Sequence, residues 1–345
     1  MSHPNPIVAA IDAADFADLD IKPAYIDGNG HMNVGYYSVL FDRALERYLR
    51  PFEVGWDFMQ TTGKTGFVLE HHTRYMREVK QGDPLAFTFE LVDWDTKRMH
   101  HLMTMRHATE GWVASVQEAI AICVDVATRR TGTWLATTQK NFAEVHAVHS
   151  QRPRSPDIGR SIRIPHKTPP VRPAVSPALL ATTRAELAAQ YMPARVLPEW
   201  IDRNGHMNAG YYSVVFDLAL DPMAGMYSLS WEDVKRSNMS MFVLESHVFY
   251  YREAMAGDPL VFDWQLLDYD EKRFHYFVNM RHAERGDLLA TSEQIAIYVD
   301  LNTRRPTTWP TETMERFAAT LAVHSEKPRP TEAGHVIGIR RSAAA

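Results

Sequence analysis

One segment of this chain occurs twice. YIDGNGHMNVGYYSVLFDRAL, beginning at Tyr25, returns as WIDRNGHMNAGYYSVVFDLAL from Trp200. The offset of 175 that pairs Asp27 with Asp202 also pairs Glu70 with Glu245, Gly82 with Gly257, Arg98 with Arg273, Asp125 with Asp300 and Trp134 with Trp309. No gap is needed from Pro23 to Ser150 or from Pro198 to Ser325. Roughly half of the paired positions are identical, far above chance for a fixed-offset repeat. The chain is therefore expected to be two copies of one domain, the first over residues 18–150 and the second over 186–339.

Residues 151–185 read as a linker between them. Pro153, Pro156, Pro165, Pro169, Pro170, Pro173 and Pro177 favour an extended, semi-rigid connector. Its early part, IGRSIRI, echoes GHVIGIRR near the end of the chain, so the repeat can run on to Ile164 and Ile339. ATTRAELAAQ, just before the second copy, is expected to form a short helix, and the terminal SAAA to fray.

Composition narrows the function classes. Of 345 residues, 45% are apolar and 23% charged, which excludes a disordered chain. A net charge of −5 offers no basic field to nucleic acid. No apolar run approaches the roughly 20 residues that span a bilayer. The N-terminal segment lacks the basic start and apolar stretch of a secretory signal, and the single Cys123 cannot form an internal disulfide. A cytoplasmic protein with no nucleic-acid or membrane partner is expected.

Within each copy the hydrophobic period changes once. Val34, Tyr37, Phe41, Ala44, Leu45 and Tyr48 recur at spacings of three and four, an amphipathic helix for which Asn33 is a suitable cap. Asn208, Tyr212, Phe216 and Ala219 repeat it. Downstream, Leu85, Phe87, Phe89 and Leu91 alternate with Ala86, Thr88 and Glu90, as Leu260, Phe262, Trp264 and Leu266 do later, giving half-buried strands. The turn signals QGDP and AGDP precede these strands and DWDTKR and DYDEKR follow them, so hairpins are expected on both sides. A further strand runs through AIAICVDV or QIAIYVDL, and a last helix spans about Thr137 to His149 and Glu312 to His324. The fold class is α+β, one long helix lying on one face of an antiparallel sheet in each copy.

The run Asp-x-x-Gly-His-Met-Asn-x-x-Tyr-Tyr, followed by a helix and then strands with a Gly-Asp-Pro turn, resembles the hot-dog fold, and within it the 4-hydroxybenzoyl-CoA thioesterase group. The entry WIDRNGHMN, the strand VLExHxxYxRE and the turn DxKRxH resemble most closely the betainyl-CoA thioesterases, some of which are fused to carnitine dehydrogenase. Here a second thioesterase-like copy takes the place of the dehydrogenase. The resemblance implies a tandem double hot-dog whose copies pair as an intrachain pseudo-dimer, possible further self-association aside, with active sites at the seam. It implies an acyl-CoA substrate, hydrolysed to free acid and coenzyme A, and no cofactor. It also gives the aspartate at the positions of Asp27 and Asp202 the role of base or nucleophile.

Elementary chemistry accounts for the remaining candidates. A helix start offers free N–H groups and the positive end of a dipole, so Asn33, Val34 and Gly35, with Asn208, Ala209 and Gly210, can position the substrate and hold the oxyanion of a tetrahedral intermediate. The glycines would let substrate approach the backbone closely. Asn33 suits a cap better than a catalytic role, and His31 suits ordering the loop. Glu70 and Glu245, acids inside apolar strands, need a partner. Each can be a second acid, a contact for a cationic acyl head, or one half of a salt bridge to Arg77 or Arg252. His72 and His247 lie two residues on, on the same strand face; they can adjoin that site or be ordinary core histidines.

Tyr36, Tyr37, Tyr211 and Tyr212 are candidates for an acyl pocket, where cation–π attraction could hold a trimethylammonium group. The pairs His71-His72 and His100-His101 lack the spacing of a zinc site, so no metal is expected. Lys97-Arg98, Arg129-Arg130 and their mates at Lys272-Arg273 and Arg304-Arg305 suit solvated turns better than CoA phosphates. Two other activities share these features: a hydratase or dehydratase acting on enoyl or hydroxyacyl thioesters, and a non-catalytic acyl-CoA-binding protein.

Overall fold

In the computed structural model, which describes residues 5–166 and 170–339, one helix precedes the first copy and a second lies within it. Pro169 of the linker, Arg340–Arg341 of the terminal echo and Ser342–Ala345, where fraying is expected, lie outside the described residues. Helix α1 (Pro6–Asp12) is capped by Asn5, whose side chain accepts from the N–H groups of Ile7 and Val8. Helix α2 (Val34–Leu49) follows the spacing of its apolar residues and buries Tyr37, Phe41, Ala44, Leu45 and Tyr48. After the short α3 (Trp56–Thr62) come strands β1 (Lys64–Tyr75), β2 (Leu85–Trp94), β3 (Arg98–His107) and β4 (Val113–Asp125), the two-residue β5 (Arg130–Thr131) and α4 (Ala136–His149).

The strands of this copy pair antiparallel in the order β2-β3-β4-β1, with β5 on β4. Phe87 and Phe89 of β2 face α2: the Phe41 and Phe87 rings lie 5.8 Å apart, those of Tyr48 and Phe89 5.3 Å. Each fully buried aromatic here contributes about 1.5–3 kcal/mol. Cys123 sits in the same core, where burial pushes its thiol up to about 11, away from any nucleophilic role.

The sheet order corrects one expectation. DWDTKR does close a hairpin, β2 to β3, but QGDP does not, because β1 pairs with β4 rather than with β2. A Gly-Asp-Pro turn reverses the chain locally without naming the strand's partner. The segment 76–84 keeps a local turn, the Asp83 N–H donating to the Lys80 carbonyl at 3.1 Å, inside a longer connection between strands that do not pair.

The second copy repeats this arrangement after helix α5 (Pro177–Ala189) and strand β6 (Met192–Arg195). Helix α5 begins at Pro177 with Ser176 as its cap, so the last part of the linker is helical. Proline at the first helical position starts a helix rather than breaking it. Helix α6 (Ala209–Ala219) ends five residues earlier in the repeat than α2, and α7 (Asp221–Gly225) restarts the chain. Pro222 stands where the first copy has Arg47, and proline cannot continue a helix interior. Helix α8 (Trp231–Ser237) leads to β7 (Met239–Tyr250), β8 (Pro259–Tyr269), β9 (Arg273–His282), β10 (Leu288–Asp300), β11 (Arg305–Pro306) and α9 (Thr311–His324). The order is β7-β10-β9-β8-β6, with β11 on β10. Even the irregularities repeat: β1 bulges between Val68 and Glu70 against β4, and β7 between Val243 and Glu245 against β10.

The described residues divide into two compact units. One holds the chain up to Arg160 with Asn208–Tyr211 and the residues from Val336 on; the other holds Ser161–Met207 and Tyr212–His335. In the first, Ile158 packs on Leu102 and Val116; in the second, Ile162 and Ile164 pack on Ile295.

Candidate active site

The loop that carries Asp27 is built from local hydrogen bonds. The Asp27 N–H donates to the His31 carbonyl at 2.9 Å, and the Gly30 N–H to the Asp27 carbonyl at 3.0 Å. Gly30 adopts a φ of +80°, a conformation that glycine supplies without a Cβ penalty. Oδ1 of Asp27 accepts from the N–H of Asn29 at 2.8 Å and of His31 at 3.4 Å. Oδ2 accepts no hydrogen bond from the described residues. Burial is the main influence on this carboxyl and lifts its pKa above the usual range; the two loop N–H groups and His31 oppose the shift, and Glu78 adds to it. In the second copy Asp202 accepts from the Asn204 N–H at 2.7 Å, and its Oδ2 takes a 3.4 Å bond from the Asn204 side chain.

The next residues start the helix, and their side chains decide which donors stay available. Asn33 caps α2, its Oδ1 accepting from the Gly35 N–H at 2.9 Å. Asn208 does the same for Gly210 at 2.9 Å, and its amide donates to Asp42 Oδ2 at 2.6 Å. Of the expected oxyanion donors, the N–H groups of Gly35 and Gly210 are therefore already engaged. Val34 keeps its N–H clear of the described residues.

Gly210 meets a packing need. A Cβ built there would lie 2.5 Å from Val39 Cα and 2.6 Å from Val39 N, so the close approach it permits is that of the α2 backbone. Gly210→Ala must move main chain, and we expect it to destabilise the protein by about 1–3 kcal/mol or more. A lowered unfolding midpoint in denaturant is the readout; an unchanged midpoint would show that the helices part freely.

The four candidate tyrosines divide into two kinds. The Tyr37 hydroxyl donates to the Arg77 carbonyl at 3.4 Å and accepts from the Val79 N–H at 3.3 Å. Tyr212 makes the matching bonds to Arg252 and Ala254 at 3.2 and 3.1 Å. These two hydroxyls pin the connection after β1 or β7. Tyr36 and Tyr211, both half-buried, meet edge to face at 6.3 Å, and Tyr25 stacks on Tyr36 at 4.2 Å.

Glu70 and Glu245 each directly follow the strand bulge, a feature that re-aims a side chain. Glu70 is buried and Glu245 half-buried. The two arginines named as their partners turn elsewhere: the Arg77 guanidinium lies over the Trp112 ring at 4.3 Å in a cation–π contact, and Arg252 faces Asp287 at 3.8 Å. Trp112 and Asp287 are repeat mates, so one arginine has two kinds of partner. His72 and His247 are buried and lie opposite Glu118 and Glu293 in the strand register. Of the turn arginines, Arg98 and Arg273 pair with the aspartates three residues before them. Arg98 reaches Asp95 at 2.6 Å, and burial, which raises that carboxyl's pKa, is outweighed by its hydrogen bonds from Arg98 and the turn backbone, leaving it lowered.

One pair of acids escaped notice in the sequence. Glu78 Oε2 lies 3.3 Å from His31 Nε2, and Glu253 Oε2 lies 3.1 Å from His206 Nε2. The signal was present, since both glutamates stand at the common offset in the YxRE motif.

Comparison with known proteins identifies the family. A family model described as the thioesterase-like superfamily matches residues 21–179 and 196–317. The betainyl-CoA thioesterase of Pseudomonas aeruginosa is 34% identical over 144 residues, covering 42% of this chain and 91% of that protein. An L-carnitine dehydrogenase/betainyl-CoA thioesterase of Rhizobium meliloti is 31% identical over 147 residues, or 43% of this chain but only 29% of that longer protein. Among solved structures, an acyl-ACP thioesterase from Bacteroides thetaiotaomicron superposes with a TM-score of 0.53 at 14% identity, covering 80% of this chain and 95% of that one. The 12:0-ACP thioesterase from Umbellularia californica gives 0.53 at 12% identity, covering 84% and 92%. At such identities the likeness is one of fold alone.

Proposed function

The chain belongs to the thioesterase-like superfamily, and from that premise we propose that it hydrolyses a short polar acyl-CoA to the free acid and coenzyme A, with betainyl-CoA the leading substrate. The observation that carries this reading is the Asp27 loop: a half-buried carboxylate with one oxygen fixed by loop N–H groups and the other open, just ahead of a capped helix start. Asp202 occupies the matching place ahead of α6, with its first oxygen held by the Asn204 N–H and its second taking a 3.4 Å bond from the Asn204 side chain.

In this mechanism the open oxygen of Asp27 takes a proton from water as water adds to the thioester carbon, or attacks that carbon itself. The carbonyl oxygen becomes an oxyanion and receives the Val34 N–H at the positive end of the α2 dipole. On the base route, collapse breaks the carbon–sulfur bond and the leaving thiolate takes the proton held by the carboxyl; on the nucleophilic route, collapse leaves an acyl–Asp27 anhydride, which water then cleaves to the free acid and the carboxylate, its released proton neutralising the thiolate. The raised pKa of Asp27 suits a group that must first accept a proton and then return it. For a quaternary ammonium head, the half-buried Tyr36 and Tyr211 supply aromatic faces worth about 0.5–2 kcal/mol each. Tyr25 is less suited, since Lys22 and Arg43 stand about its ring at 6.0 and 5.9 Å.

The test is a panel of short acyl-CoAs, including betainyl-CoA and a neutral acyl group of equal size, followed by thiol titration of released CoA. We expect turnover of betainyl-CoA with a kcat/KM about tenfold above its neutral counterpart, the ratio that about 1.4 kcal/mol of cation–π attraction gives. Binding without release would favour a non-catalytic acyl-CoA-binding protein, and a change in enoyl absorbance without release would favour a hydratase.

A further inference from the structure

We propose that Glu78 and Glu253 are positioning residues that hold the hydrolytic carboxylates in place through the imidazoles of His31 and His206. The proposal rests on the hydrolytic reading of Asp27 and Asp202 and adds a residue to each of those sites. The chain of contacts starts at the carboxylate. Asp27 is joined to residue 31 twice, by its N–H to the His31 carbonyl at 2.9 Å and by its Oδ1 from the His31 N–H at 3.4 Å. Wherever the backbone of His31 goes, the carboxylate follows.

The ring of that histidine is buried, with only 6% of its side chain exposed, and its Nε2 meets Glu78 Oε2 at 3.3 Å. Glu78 is itself anchored on both sides. The Tyr37 hydroxyl binds the Arg77 carbonyl and the Val79 N–H, and the Val79 carbonyl accepts the Met32 N–H at 2.9 Å. A closed circuit results, from α2 through Tyr37 to residues 77–79, across to His31 and Met32, and back to Asp27.

The second copy builds the same circuit. Asp202 N–H donates to the His206 carbonyl at 2.8 Å, His206 Nε2 meets Glu253 at 3.1 Å, and Met207 N–H reaches the Ala254 carbonyl at 2.8 Å. Tyr212 again pins the connection. The residues after the glutamate have drifted, Val79 to Ala254 and Lys80 to Met255, while both ends of the His–Glu contact are retained in the two copies. A contact serving only to fill space would not require a charged partner whose side chain is 35% exposed at one edge of the site.

The experiment is the full-length chain carrying Glu78→Gln and Glu253→Gln together. Displacing a reacting group by about 1 Å costs up to about 10²-fold in rate. We expect kcat for CoA release to fall by about ten- to a hundredfold, KM to stay within about twofold, and the unfolding midpoint to stay near that of the parent. Glu78→Asp with Glu253→Asp, which keep the charge, should recover part of the loss. A kcat within about threefold of the parent, or a fall that only tracks a lowered unfolding midpoint, overturns the proposal. The outcomes separate from those of the parent reading. If Asp27→Asn with Asp202→Asn stays active, the hydrolytic assignment falls; if that variant is inactive while the glutamine variant is fully active, only the positioning role falls.

Discussion

Asparagine in place of both Asp27 and Asp202 is expected to lower thioester hydrolysis by about 10²–10⁴-fold, the usual contribution of a positioned proton-transfer group, with the fold intact. The substitution is almost isosteric. An asparagine Oδ1 can still accept from the N–H of residues 29 and 31, so the turn closed by Gly30 keeps its geometry and only the charge and basicity are lost. Each single variant should remove one site and leave the other, so the two residual rates report the share of each copy. In Asp202→Asn the surviving activity belongs to Asp27. Burial raises the pKa of that carboxyl above its usual 3.8, and the deprotonated form is the active one. The acid limb of kcat/KM in this variant should therefore lie above 3.8, activity falling as pH drops through it. Thiol titration measures the rates, and circular dichroism verifies folding. Undiminished hydrolysis in the folded double variant would remove both aspartates from the mechanism.

Much of this arrangement was legible because it is local. The helix over Val34–Leu49, the strand over Leu85–Trp94 and the Asn33 cap each depend on neighbours within one or two turns, and period and side-chain chemistry report such neighbours directly. The pairing of β1 with β4 was not legible, since a Gly-Asp-Pro turn says nothing about which strand lies alongside. The bulges before Glu70 and Glu245 were hidden for the same reason, as a bulge is a relation between two strands. The packing need that Gly210 meets was hidden as well. Its missing Cβ accommodates the backbone of Val39, a contact that no reading of residues 200–220 could supply. Glu78 was visible in a motif, but its partner His31 lies 47 positions away, and only the fold brings the two within 3.3 Å.

Glu118→Ala should cost the first copy about 2–6 kcal/mol, since it leaves two buried polar groups without their partner at about 1–3 kcal/mol each. Glu118 is 1% exposed and lies on the sheet face away from α2. His100 Nε2 stands 2.8 Å from its Oε1, and the Gly159 N–H donates to both of its oxygens at 3.1 and 3.0 Å. Gly159 takes a φ of +75° to aim that donor, so the carboxylate ties the segment after α4 over the sheet. There Ile158 completes a small apolar cluster with Leu102 and Val116, and Arg74 pairs with Asp157. Alanine would leave a buried imidazole and a buried N–H without their acceptor, and the segment would lose its tether. The second copy offers an internal replicate, with Glu293 bonded to His275 at 2.8 Å and to the Gly334 N–H at 2.8 Å, so Glu293→Ala should behave alike. Against a typical domain stability of about 5–15 kcal/mol, such a loss brings a copy close to unfolding, whereas Glu118→Gln keeps an acceptor and should cost less. Denaturant unfolding of the full chain measures the difference. A shift worth less than about 1 kcal/mol in Glu118→Ala would mean that water replaces the carboxylate and that the apolar contacts of Ile158 alone hold the segment down.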